Sequence, residues 1–182
     1  MRSFALVVAA LALAAFVAVP AGAEQGGSSM AFSMSSSAFR PGGSIPTEFT
    51  ADGRDMSPAL SWENPPAGTQ SLALVCDDPD APVGTWVHWV LWNIPASARA
   101  LPQGVPAAKV LPDGSAQGKN DFGRIGYGGP SPPRGKPHRY FFRLYALGQK
   151  LSLAAGASRK QLDAAMAGRI LGAAELIGTY GR

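Results

Sequence analysis

Turn-forming residues divide this chain into short segments, and this division constrains the fold more than any other feature. The 182 residues include 22 Gly and 16 Pro. That share is about a fifth, below the roughly 25–30% typical of disordered chains. Turns are indicated at Pro41-Gly42-Gly43, Asp52-Gly53, Asn64-Pro65-Pro66 and Pro112-Asp113-Gly114. The apolar or alternating runs between turns predict strands at 31–35, 59–62, 71–76, 86–94, 138–147 and 176–180.

One segment near the C-terminus has the pattern of a helix. Ser158 is a favoured capping residue, and Gln161 follows it at the spacing of a capping box. Apolar side chains then recur at helical spacing, namely Leu162, Ala165, Met166 and Ile170. We expect the helix to end near Gly172 and to pack on a β-rich sheet or sandwich.

The N-terminal residues have the pattern of a secretory signal peptide. Arg2 precedes an unbroken apolar run over residues 4–19, and Ala21-Gly22-Ala23 matches the small-residue cleavage pattern. The run is shorter than the roughly 20 residues of a membrane span, although a retained N-terminal anchor is the alternative. We therefore predict a signal peptide at 1–23, a flexible lead-in at 24–29, one domain at 30–182, and a periplasmic or secreted location.

The charge and cysteine content narrow the range of functions. Lys and Arg number 16 against 12 Asp and Glu, and the basic residues are scattered along the chain. Without a basic run, nucleic-acid binding is disfavoured, and the charge suits only mild attraction to small anions. The single cysteine, Cys76, lies in an apolar strand-like run and is interpreted as a buried inert thiol. A reactive thiol and a disulfide between chains are the alternatives.

The two histidines of the chain are the candidate functional residues. His88 and His138 each lie near the start of a predicted strand, close to a proline-rich loop. Strand alternation places Trp86, His88, Val90 and Trp92 on one face, and His138, Tyr140, Phe142 and Leu144 on one face of the other strand. Because each proline fixes φ, the loops would hold a pocket open before a ligand arrives.

Two imidazoles and a phenol in such a pocket suit the oxygens of a phosphate group. In this arrangement Asp78 would orient an imidazole and accept a hydrogen bond from an amine on the ligand. The alternatives are that the histidines are structural and that Asp78 and Asp80 only cap turns. Arg139 is expected to form a structural ion pair.

The sequence lacks the common short motifs of catalytic and metal-binding sites. The run Gly126-Tyr127-Gly128-Gly129 lacks the following Lys and Ser/Thr of a phosphate-binding loop. No Gly-x-Ser-x-Gly motif is present, and no serine lies in an activating sequence context. The two histidines lack the local spacing of metal ligands. We therefore expect no enzymatic activity, no metal and no cofactor.

Several sequence blocks resemble one known family. The first comprises Asp78-Pro79-Asp80-Ala81-Pro82 and Trp86-Val87-His88-Trp89; the second comprises Gly129-Pro130-Ser131-Pro132-Pro133 and His138-Arg139-Tyr140. Both are similar to the phosphatidylethanolamine-binding protein family. Further segments resemble its bacterial, Raf kinase inhibitor-like branch, namely Asp55-Met56-Ser57-Pro58-Ala59-Leu60-Ser61-Trp62, Asn120-Asp121-Phe122-Gly123 and Ala174-Glu175-Leu176-Ile177-Gly178-Thr179-Tyr180.

The resemblance implies a mainly β fold, of the β-rich α+β kind, in which a smaller sheet packs on a large antiparallel sheet with peripheral helices. It implies a ligand site at Asp78, Pro82, Trp86, His88, Ser131, Pro133, His138 and Tyr140. It also implies a cis peptide at Ala81–Pro82 and a homodimer. The expected function is non-catalytic binding of a small phosphate-type anion or phospholipid head group. The alternatives are inhibition of a protease or partner enzyme through the pocket rim and, as the weakest, phosphoester hydrolysis.

Overall fold

Two antiparallel sheets form the framework of the protein in the computed structural model, which describes residues 30–182. The predicted signal peptide and lead-in lie outside the described residues. The strands are β1 (Ser33–Ser35), β2 (Leu60–Glu63), β3 (Ser71–Asp78), β4 (Trp86–Pro95), β5 (Ala100–Leu101), β6 (Ala116–Gln117), β7 (His138–Leu147) and β8 (Ile170–Tyr180). The large sheet has the order β6-β4-β3-β7-β8 and the small sheet the order β1-β2-β5. The expected mainly β fold with two antiparallel sheets is confirmed.

The large sheet is covered on both faces, so it lies in the middle of the molecule. On one face, Leu74 and Phe142 pack in a core that also contains Met34, Leu60 and Trp62 from the small sheet. On the other face, a second core contains Val75, Trp92 and the helix residues Leu162 and Met166. All eight residues of β3 are buried, which explains its continuous apolar sequence.

The C-terminal helix, α1 (Arg159–Met166), begins as predicted but ends earlier. Ser158 caps it, and both hydrogen bonds of the capping box with Gln161 are present. The predicted end near Gly172 is wrong, because Gly168 adopts a φ of 71° just after the last turn, a conformation typical of helix termination. Ile170 therefore begins β8, and the helical spacing of its side chain was coincidental.

The predicted alternation along β4 is wrong beyond His88. In the pairing of β3 with β4, Asp77 lies opposite Val87 while Cys76 lies opposite Trp89, so His88 is an extra, bulged residue. A β-bulge shifts the alternation of side chains. The His88 ring consequently contacts Tyr140 on the face of the first core, whereas Val90 and Trp92 pack in the second core.

Four further features were not predicted or were predicted wrongly. The two-residue strands β5 and β6 and the short 3₁₀ helix at Thr47–Phe49 are too short to give a periodic signal. The described residues contain no cis peptide bond, so the expected cis Ala81–Pro82 bond is wrong.

Among residues 30–182, no helix is long and apolar enough to cross a membrane.

Candidate functional site

A cavity of about 210 Å³ opens at the end of the large sheet where β3 ends and β4 and β7 begin. Its walls are Asp78, Ala81, Pro82, Val83, Trp86, His88, Phe122, Ser131, Pro132, Pro133 and His138. Seven of the eight predicted ligand-site residues therefore line one cavity, and Tyr140 lies beside it. The volume is below the roughly 300 Å³ at which pockets for drug-sized ligands begin, so the cavity suits a small molecule or head group.

His138 is held in place by Asp78. Its Nδ1 lies 2.8 Å from Oδ2 of Asp78, and both side chains are almost fully buried. The other carboxylate oxygen, Oδ1, accepts a hydrogen bond of 2.8 Å from the backbone N–H of Asp80. Asp78 therefore shapes the turn after β3, as the turn-capping alternative proposed, and also orients the imidazole. Because Nδ1 is engaged, Nε2 is the ring nitrogen of His138 left for another partner.

His88 is oriented by a backbone carbonyl instead of a carboxylate. Its Nδ1 lies 2.6 Å from the carbonyl oxygen of Gly128. Because a carbonyl oxygen only accepts, Nδ1 must carry the proton, and Nε2 is again the nitrogen left over. Burial lowers the pKa of His88 below its ordinary value, and the Gly128 carbonyl and the carboxylate of Asp78 counter this effect in part.

The loop between β3 and β4 is fixed to the start of β7 by an ion pair. Arg139 donates from Nε and Nη2 to the two carboxylate oxygens of Asp80, at 2.8 and 2.7 Å, and its backbone N–H adds a third hydrogen bond. These hydrogen bonds hold the pKa of Asp80 at about 2. Asp80 and Arg139 therefore brace the cavity wall and are not among the residues that line it.

Tyr140 lies against His88 and has no exposed surface. The two rings meet edge to face, with centroids 5.1 Å apart. The Tyr140 hydroxyl approaches the backbone of Ser131 but has no hydrogen-bond partner of good geometry among the described residues. Burial raises its pKa well above the ordinary tyrosine value, so the hydroxyl remains a hydrogen-bond donor.

Phe122 is a wall residue that the sequence analysis did not assign to the site. Its ring meets the rings of Trp86 and His88 edge to face, at centroid distances of 5.4 and 5.3 Å. A β-carbon on Gly128 would lie 2.6 Å from this ring, so a residue without a side chain is required there. The signal in the sequence was the Asn120–Gly123 block of the family resemblance, which was not connected to the histidines.

Three observations bear on catalytic alternatives. Within the described part of the chain, no group of three or more His, Cys, Asp or Glu side chains is placed to hold a metal ion. Ser131 lines the cavity with His138 and Asp78, but no hydrogen bond joins its hydroxyl to either imidazole in residues 30–182. Cys76 is 1% exposed in the first core, and burial raises its pKa well above the ordinary thiol value.

Comparison with known proteins places the sequence and the fold in one known family. The family model for phosphatidylethanolamine-binding proteins matches residues 35–181, so this chain belongs to that family. Among curated proteins, it is 54% identical over 145 residues to a UPF0098 protein of Methanothermobacter thermautotrophicus, covering 80% of this chain and 95% of that protein. It is 50% identical over 149 residues to a UPF0098 protein of Aquifex aeolicus, covering 81% and 86% of the two chains.

Two solved structures extend this similarity. Escherichia coli YbcL, described as a member of the mammalian PEBP family, aligns with a TM-score of 0.77 at 34% identity and covers 83% of this chain and 98% of its own. A phosphatidylethanolamine-binding protein homolog of Chlamydia trachomatis aligns with a TM-score of 0.76 at 38% identity and covers 84% and 98%.

Proposed function

We propose that this chain is a non-catalytic binding protein for a small phosphate-type anion or phospholipid head group in the two-histidine cavity. One observation carries the proposal: both imidazoles line one cavity, and each has Nδ1 committed to a protein acceptor. Each Nε2 is then left to meet a ligand oxygen, as a donor whenever the ring is protonated. The description of the family as phosphatidylethanolamine-binding supports a head group as the ligand.

Asp78 shapes the expected selectivity. Its carboxylate lies in the cavity wall, where it would repel a bare dianion and accept a hydrogen bond from an ammonium group. A ligand that carries both a phosphate and an amine therefore fits the charges better than inorganic phosphate does. We expect phosphoethanolamine to bind more tightly than phosphate at the same pH and ionic strength.

The binding test is an NMR titration of the two imidazoles. Millimolar phosphate, phosphoethanolamine or glycerophosphoethanolamine should shift the ring resonances of His88 and His138 saturably. His138→Gln should weaken binding about tenfold or more, because a neutral amide donor replaces a ring that can donate to the anion as a cation. Lys136→Gln is the matched control, since it removes an exposed positive charge from the neighbouring loop without altering the cavity wall.

Two results would contradict the proposal. One is the absence of any saturable shift of either imidazole at millimolar ligand. The other is an equal loss of affinity in His138→Gln and Lys136→Gln, which would mean that only general electrostatic attraction operates. Turnover of a generic phosphoester by the wild-type protein, lost in His138→Gln, would instead favour the hydrolase alternative.

We further propose that the mature domain acts in the periplasm after export. The support is the signal-peptide pattern of residues 1–23. Expression of the full chain in a bacterial host, followed by fractionation and intact-mass measurement, tests it. A periplasmic product that begins at Glu24 is expected, and an uncleaved product in the cytoplasm or membrane would refute it.

A further inference from the structure

The peptide group between Gly128 and Gly129 is held from both sides. Its carbonyl oxygen, on Gly128, accepts the hydrogen bond from Nδ1 of His88 at 2.6 Å. Its N–H, on Gly129, donates to Oδ1 of Asp55 at 2.6 Å. The carboxylate of Asp55, the peptide group and the imidazole of His88 therefore form one continuous chain of hydrogen bonds.

The far end of this chain is itself fixed. Asp55 has a φ of 52°, a conformation that Asp, Asn and Gly tolerate best. Its second oxygen, Oδ2, accepts a hydrogen bond of 3.1 Å from Arg124. A β-carbon at Gly129 would lie 2.7 Å from the backbone oxygen of Phe49, so the backbone at Gly129 packs directly against its neighbours.

We propose that Asp55 is a positioning residue for His88, acting through the Gly128–Gly129 peptide group to keep the proton on Nδ1 and leave Nε2 for the ligand. The part that concerns the ligand depends on the proposed function. The part that concerns the proton position does not, because it applies to the ligand-free protein.

The physical basis is polarisation along connected hydrogen bonds. A carboxylate that accepts from a peptide N–H increases the negative charge on the carbonyl oxygen of the same peptide, which then accepts more strongly. The cavity thus pairs each histidine with a carboxylate, His138 directly through Asp78 and His88 indirectly through Asp55. The acidic groups Asp77, Asp78 and Asp121 also act on His88 through space, so a test must separate their charge from the hydrogen-bond chain.

Three variants make this separation. Asp55→Gly removes the carboxylate but tolerates the positive φ, and Asp55→Asn keeps both the φ tolerance and an acceptor oxygen for Gly129. Asp121→Asn is the matched control, because it removes a nearby negative charge while the Gly128–Gly129 peptide keeps its partners. Circular dichroism and urea unfolding establish that each variant is folded.

The readout is the ¹⁵N spectrum of the His88 ring in ligand-free protein above the histidine titration range. Wild type, Asp55→Asn and Asp121→Asn should show the Nδ1–H tautomer. In Asp55→Gly the N–H of Gly129 loses its acceptor, so the peptide group can reorient and its carbonyl no longer holds the proton on Nδ1; a mixture with the Nε2–H form is expected. Asp55→Gly should also bind phosphoethanolamine about fivefold more weakly, with the affinity largely restored in Asp55→Asn.

An unchanged Nδ1–H tautomer in folded Asp55→Gly would overturn the proposal. A tautomer change of equal size in Asp121→Asn would also overturn it, since through-space charge would then be sufficient. Failure of wild-type protein to bind any phosphate ligand would refute the proposed function, while the tautomer measurement would still decide the role of Asp55.

Discussion

His88 and His138 share one cavity, yet their surroundings differ in charge. His138 donates to the carboxylate of Asp78, whereas His88 donates to the neutral carbonyl of Gly128. An imidazole buried away from solvent loses hydration of its charged form, and a neutral carbonyl restores only part of that loss. A phosphate oxygen between the two Nε2 atoms would thus meet one imidazole held by a carboxylate and one held by a neutral carbonyl.

This difference predicts how binding responds to pH. Burial lowers the pKa of His88 below 6.5, and an anion favours the charged ring. Affinity for glycerophosphoethanolamine should therefore increase as pH falls below 6.5, with proton uptake on binding. The diester phosphate keeps one negative charge throughout this range, so the change reports on the protein. Isothermal titration calorimetry in buffers of different ionisation enthalpy measures it; affinity that is constant or falls towards pH 5 would contradict it.

The same lowered pKa predicts a loss of stability in acid. A histidine that binds a proton less readily when folded stabilises the folded state above its unfolded pKa, and this contribution is lost as pH falls through the folded value. The urea concentration at the unfolding midpoint of ligand-free protein should decrease as the pH is lowered below 6.5. His88→Gln should reduce this dependence of the midpoint on pH. Asp80, whose pKa is about 2 against an ordinary 3.8, contributes in a separate window below pH 4.

At the scale of elements, irregularities in β4 decide where its side chains point. Besides the bulge at His88, the register shifts between Leu72 and Leu74 of the facing strand, where Asn93 adopts a φ of 58°. The Asn93 side chain donates to the carbonyl of Leu151 and accepts from its N–H, at 3.0 and 2.8 Å. These bonds attach the segment before α1 to the end of β4.

Two substitutions at this bulge separate backbone strain from hydrogen bonding. Asn93→Gly keeps the positive φ and loses both bonds, so we expect a loss of about 1–2 kcal/mol in the free energy of unfolding. Asn93→Ala loses the same bonds and, unlike Gly, keeps a β-carbon at a positive φ that Ala tolerates less well than Asn, so it should cost about 1–3 kcal/mol more than Asn93→Gly. Urea unfolding at neutral pH measures both; equal losses would show that strain contributes nothing here.

At the scale of the whole molecule, β3 joins the two cores because its side chains are buried on both faces. Leu74→Ala leaves a cavity between the sheets, where Leu74 is 0% exposed, and should cost about 2–5 kcal/mol. Val110→Ala is the control, since Val110 is 58% exposed, and should change stability by less than about 0.5 kcal/mol. Urea unfolding compares the two variants; similar values would contradict the burial of Leu74 between the two sheets. The homodimer implied by the family resemblance stays a prediction. Light scattering tests it by measuring the molar mass in solution, where twice the mass of one chain is expected.

The sequence by itself determined much of the local structure and indicated seven of the residues that line the cavity. Strand positions, the capping box at Ser158 and the proline-rich loops depend on interactions between near neighbours in the chain, and such interactions leave a readable pattern. The two spaced blocks that contain His88 and His138 also indicated the family correctly.

The tertiary structure decided everything that depends on distant segments meeting. The bulge at His88 follows from the pairing of β4 with β3, and the early end of α1 follows from the pairing of residues 170–180 with β7. The position of Phe122 and the hydrogen-bond chain from Asp55 to His88 join segments far apart in sequence. No spacing rule links such residues, because only the packed sheets and loops bring them within bonding distance.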